Sequence, residues 1–184
     1  MTSTPTTTRQ PRLRRVAHRW RHRGLTAEAM VLLTVSGALQ KWVPMTRWSA
    51  LLGAHGPVPP QWHGSTVVRL PARAATATER RVAVAIRSGA AHLPWHATCL
   101  AEATTGQVLL RQLRQPGVVV IGLRVTEAPP WDAHAWLLGR VGALTGGPAA
   151  RGFTATTVFE VPGGLRAQEV DLVGSLVPAA ESAA

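Results

Sequence analysis

The sequence contains one cysteine, Cys99, within Thr98-Cys99-Leu100. The pattern after it predicts the first turn of a helix, where unpaired backbone N–H groups and the positive end of the helix dipole meet. Both favour the thiolate, the reactive form of the side chain. A lone cysteine is also, in most folds, a small buried hydrophobe. His134 supplies the second group that nucleophilic chemistry needs. It lies mid-strand between Ala133 and Ala135, and such small neighbours let another element come close to the ring. An imidazole within reach of a thiol takes its proton and later returns it to a leaving amine. A histidine packed in a half-buried sheet fits the same pattern.

A third group would hold the imidazole in one tautomer. Asp132 shares a face with His134 in the alternating stretch Asp132–Leu138, but an i−2 neighbour on one strand lies about 7 Å away. Glu160, on the last predicted strand, is a second candidate. It requires that strand to pair beside the His134 strand in one register. A backbone carbonyl is the third option, and the one favoured here. The Cys99 backbone N–H, with the Trp95 indole, could stabilise an oxyanion. Trp95 and Trp136 could wall a peptide groove, or could equally be core aromatics. His92, His96 and Cys99 form H-x3-H-x2-C, a spacing that could seat a metal. No fourth ligand is evident and Pro94 breaks the helical spacing, so no metal is expected and His96 reads as a loop residue beside the site. No Walker A, Rossmann or zinc-finger pattern appears, and no cofactor is expected.

Positioning these side chains falls to the surrounding elements. A helix is predicted from Leu25 to about Val43, with Thr26 as N-cap and Pro44 as its stop. A short helix, Thr46–Leu52, should end at Gly53. The Pro- and Gly-rich AHGPVPPQWHGS that follows reads as a surface loop. A third helix is expected over Ala72–Ala91, with Val82, Ala83, Ile86 and Ala90 inward. Thr98 should cap a helix running to about Arg114, with Leu100, Ala103, Gly106, Leu110 and Leu113 on one face. Residues 118–125, VVVIGLRV, form a β-branched run expected as a buried strand. EAPP then turns into Asp132–Leu138, and Val141–Leu144 and Thr156–Val161 follow as further strands. Helices leading into three or four antiparallel strands make the class α+β.

The 184 residues suffice for one core, and 46% hydrophobic against 16% charged residues excludes a mainly disordered chain. One cysteine excludes a disulfide framework. The net charge of +11 is unevenly spread: residues 1–24 hold seven arginines and no acid, leaving 13 bases against 9 acids elsewhere. The expected organisation is a basic disordered tail over 1–24, one domain over 25–165 and a loose tail over 166–184. The folded part is therefore not read as a nucleic-acid binder. The apolar run Ala29–Leu39 is shorter than the roughly 20 residues of a membrane span. It is followed by Lys41-Trp42 rather than a small-x-small cleavage site, so a cytoplasmic chain is expected.

The string LPWHATCLAEATTGQVLLRQL, then VVVIGLRV, DAHAW, LTGG and GF, resembles the protease half of the B protein of lasso-peptide biosynthesis. The resemblance covers about residues 25–160, and CL, IG and AHAW in this order carry it. It implies a papain/transglutaminase-like fold, a cysteine peptidase that removes the leader from a precursor peptide, Cys99 as nucleophile and His134 as general base and acid. It also implies a separate small leader-binding protein and an asparagine-synthetase-like lasso cyclase as partners. The family often carries an Asp after AHAW; here LLGRVGALTGG has no carboxylate. A non-catalytic scaffold of the same fold, binding precursor or cyclase, is the alternative.

Overall fold

The computed structural model describes residues 12–125, 131–170 and 176–178. Four helices precede and flank a mostly antiparallel sheet. The helices are α1 (Arg12–Trp42), α2 (Met45–Trp48), α3 (Ala77–His92) and α4 (Cys99–Gln112). The strands are β1 (Ala54–Gly56), β2 (Ser65–Val67), β3 (Val118–Arg124), β4 (Asp132–Leu138), β5 (Ala143–Thr145), β6 (Thr154–Glu160) and β7 (Leu176–Pro178). They join in the order β5-β4-β3-β6-β2-β7, and β1 also pairs with β6. The class is α+β. Among the described residues no helix is long and apolar enough to cross a membrane.

Each face of the sheet seals its own core. Side chains alternate along β3, so Val119 packs with the helices while Val118 and Val120 pack on the opposite face. The helical side holds Ala29 and Leu33 of α1, Val82 and Ile86 of α3, and Leu109 and Leu110 of α4. The far side is closed by Trp62, Phe153, Leu165 and Val170. Helix α3 starts with a capping box: Glu79 N–H donates to Thr76 Oγ1 at 3.0 Å, and Thr76 N–H to Glu79 Oε2 at 2.7 Å.

Several expectations are corrected. Helix α1 begins at Arg12 rather than Leu25, so residues 12–24 are helical and not a disordered tail. Arginine has high helix propensity, and the missing apolar period concealed this. Residues 1–11 and the EAPP turn lie outside the described residues. AHGPVPPQWHGS is not merely a surface loop: it contains β1, a 3-10 turn at Pro60–Trp62 and the start of β2, with Trp62 buried. The segment after 165 is not loose where it is described. Ala167 and Val170 are buried, and Leu176–Pro178 pairs with β2. Helix α4 is buried nearly all round rather than along one face, from Ala101 to Leu110. It lies between the sheet and the other helices, and Gln107 Nε2 ties it to the carbonyls of Leu52 (3.0 Å) and Gly117 (3.1 Å).

Candidate active site

Cys99 is the first residue of α4, and it is held there by Thr98. Thr98 Oγ1 accepts from Ala101 N–H at 3.1 Å and donates to Gln40 Oε1 at 2.7 Å, so the N-cap also joins α4 to α1. His134 stands in the part of β4 that β5 does not cover, because β5 pairs only with Leu137 and Leu138. Opposite it on β3 is Gly122. A Cβ there would lie 2.6 Å from Trp136 Cη2 and 2.8 Å from Thr154 O, so glycine lets the indole cross the strand. The imidazole stacks on Trp136 with ring centres 6.0 Å apart, and Phe153 meets its ring at 5.3 Å.

The structure brings Cys99 and His134 into a side-chain hydrogen bond. His134 Nε2 lies 2.8 Å from the Gly146 carbonyl oxygen. A carbonyl only accepts, so Nε2 carries the hydrogen and Nδ1 is the nitrogen left for the thiol. Gly146 has φ of +71°, and a Cβ would sit 2.5 Å from Ala135 O. The turn that aims this carbonyl therefore requires glycine.

Burial pushes the Cys99 thiol up. The His134 hydrogen bond, the Ala135 and Leu100 N–H groups and the imidazolium charge outweigh it, and the thiol ends below its ordinary value. Burial likewise pulls His134 down, while the Cys99 hydrogen bond, the Gly146 carbonyl and the charges of Cys99 and Glu102 carry it above its ordinary value. The two shifts favour a thiolate–imidazolium pair.

Neither proposed carboxylate reaches the ring. Asp132 Oδ2 accepts from Arg124 at 2.6 Å, and the pair is half exposed. Glu160 is buried, with Oε1 accepting from Ala167 N–H at 2.6 Å and Oε2 from Arg166 at 2.8 Å. It anchors the segment after β6. Trp136 is 2% exposed and sits under the imidazole, so it is a core aromatic and not a groove wall. Trp95 is half exposed and lines a groove of about 680 Å³ with Trp42, Gln40, His96 and Thr98. His92 Nδ1 lies 2.6 Å from its own helix's Ser88 carbonyl. Among the described residues no three His, Cys, Asp or Glu side chains gather as a metal site.

Two participants escaped the sequence reading. Gly146 contributes only main chain. Glu102 lies three residues after Cys99 on α4, a spacing that places both on one helix face. Burial raises Glu102 from its ordinary value, against the pull of the His134 charge. The carboxylate thus acts on the imidazolium through its field.

A sequence model described as the transglutaminase-like superfamily matches residues 40–158, which include Cys99, Glu102, His134 and Gly146. No curated protein and no solved structure matches the chain.

Proposed function

The chain belongs to the transglutaminase-like superfamily, and from that premise we propose that it is a cysteine peptidase that removes the leader from a lasso-peptide precursor. The hydrogen-bonded Cys99–His134 pair at the start of α4, with its ring held by Gly146, is the observation that carries this reading. The motif order CL, IG and AHAW supports the narrower substrate assignment.

In the first step His134 Nδ1 takes the Cys99 proton and the sulfur attacks the leader's last carbonyl carbon. The Cys99 backbone N–H, with the Trp95 indole, receives the oxyanion. As the C–N bond breaks, the imidazolium passes its proton to the leaving nitrogen, and a thioester remains. Water then gives a proton to His134 and its oxygen to the carbonyl. The C–S bond breaks, the proton returns to sulfur, and the leader leaves as a carboxylic acid. The core peptide departs with a free α-amine, the group a separate asparagine-synthetase-like cyclase would join to an acidic side chain. A small leader-binding protein would present the precursor, and we place the reaction in the cytoplasm. The scaffold alternative drew its support from the missing carboxylate, and the Gly146 carbonyl occupies that role.

Incubation with a lasso-peptide precursor and a leader-binding protein, followed by mass spectrometry, tests the reading. Leader acid and free-amine core should appear together, and a trapped thioester should map to Cys99. A precursor left intact by protein whose Cys99 still alkylates rapidly in mild acid would remove the peptidase assignment.

A further inference from the structure

Two cavities are lined by neighbours of the Cys99–His134 pair. The groove of Trp95 and Thr98 lies on one side. The other, of about 310 Å³, is lined by Arg87 and Ala90 of α3, Glu102 of α4, Thr145 of β5, Gly146 and Gly147. Gly146 is the bond partner of His134 and Glu102 follows Cys99 by three residues, so this second cavity borders the pair on the imidazole side. His134 hands its proton to the leaving nitrogen, so the leaving half of the substrate belongs on this side.

We propose that this cavity is the subsite for the first residue beyond the scissile bond, holding its newly freed α-ammonium against Glu102 and Thr145. The inference rests on the peptidase reading and adds which half of the peptide goes where. Thr145 is 9% exposed, and its Oγ1 is buried with no hydrogen-bond partner. A buried hydroxyl left unpaired is costly unless something arrives to pair it. Among the described residues the ion pairs are Arg124–Asp132 and Arg166–Glu160, so neither Glu102 nor Arg87 is engaged in one. The first residue of a freed peptide carries an amine and, two bonds on, a carbonyl. The amine suits Glu102 and Thr145, and the carbonyl suits the Arg87 guanidinium at the exposed side. Burial already raises Glu102, and the positive charge of an ammonium ligand offsets that cost by favouring the carboxylate. The small walls at Ala90 and Gly147 select a small first side chain.

The test is protection of Cys99 from iodoacetamide at about pH 7, where an α-ammonium is still largely charged. Alanyl-alaninamide is the probe, its N-acetyl form is the control, and each rate is divided by the same variant's rate without probe. At about four times Kd the free amine should slow alkylation about fivefold, and the acetylated form should protect far less. Glu102→Gln should erase that preference. Thr145→Val, which keeps shape and removes the unpaired hydroxyl, should weaken protection. Equal protection by the acetylated probe, or undiminished protection in Thr145→Val, overturns the subsite. Failure of the peptidase reading shows separately, as a precursor left intact in the cleavage assay while Cys99 still alkylates rapidly in mild acid.

Discussion

Replacing Asp132 with Asn tests what holds His134. Asp132 accepts from Arg124 at 2.6 Å, but the two side chains are 49% and 47% exposed. An exposed pair of this kind is worth about 0–1 kcal/mol. Loss of up to about 1 kcal/mol lowers the melting temperature by about 2–4 °C in a chain of this size. Where an Asp does hold a catalytic histidine, the Asn substitution costs about 10⁴ in kcat through the wrong tautomer. Here Nε2–H goes to a main-chain carbonyl that the substitution leaves alone. Turnover should therefore fall less than about tenfold, or about 1.4 kcal/mol. Glu160→Gln gives the opposite signature. Its carboxylate is 7% exposed and accepts a buried charge-assisted bond from Ala167 N–H at 2.6 Å. Losing a hydrogen bond to a charged group costs about 1.5–3 kcal/mol. That amounts to about 3–12 °C at the scale above, with turnover per folded molecule preserved. Initial cleavage rates by mass spectrometry, beside thermal melts followed by circular dichroism, read both quantities. A hundredfold loss of turnover in Asp132→Asn with an unchanged melt would refute the main-chain assignment.

Three further outcomes follow from the site. Cys99→Ala and His134→Ala should each abolish precursor cleavage while keeping the circular dichroism spectrum; cleavage at the parent rate in Cys99→Ala contradicts the mechanism. Because the thiol is lowered and the imidazole raised, cleavage should decline on the acid side as the thiolate is lost and on the basic side as the imidazolium deprotonates. Glu102 raises His134, so Glu102→Gln should move the basic limb to lower pH and leave the acid limb in place, a pattern a pH–rate profile reads directly. Gly146→Ala forces a side chain into a left-handed conformation 2.5 Å from Ala135 O, a strain of about 1–3 kcal/mol. It should lower both melting temperature and turnover, and a variant indistinguishable from the parent would show that the turn yields without moving its carbonyl.

Local pattern was enough to see the elements that carry the site. The alternation of DAHAWLL marks β4 at its observed bounds, Asp132–Leu138, and Thr98 caps the helix that presents Cys99. VVVIGLR reads as a buried strand because both of its faces are covered. What escaped depends on long-range partners. Strands β1 and β2 have three residues each, too few to show a period, and they exist because β6 offers its edge more than eighty residues later. The arginine segment has no apolar stripe, so its helicity comes from propensity and from continuity with the packed half of α1. In the site, the carboxylates that the pattern singles out, Asp132 and Glu160, both lie on strands. Glu102 was instead on the helix bearing Cys99, and helical spacing from that residue would have found it. Strand β6, which bears Glu160, pairs beside β3 rather than β4, which leaves Glu160 opposite Val118 and away from the ring.

The loop that runs from β5 to β6 holds the imidazole at both ends, Gly146 at Nε2 and Phe153 against the ring. One of those holds is a peptide carbonyl, which every residue type carries. The orientation of the base thus depends on the number of residues between Gly146 and Phe153 as well as on those two residues themselves. Between the glycine and the phenylalanine, exchanges of one surface side chain for another leave the base aimed as before. Removing or adding a single residue moves both ends out of phase at once. For this chain, spacing between short sequence words is therefore the heritable quantity that keeps His134 in place, and an insertion in that interval would silence it while every familiar letter remained.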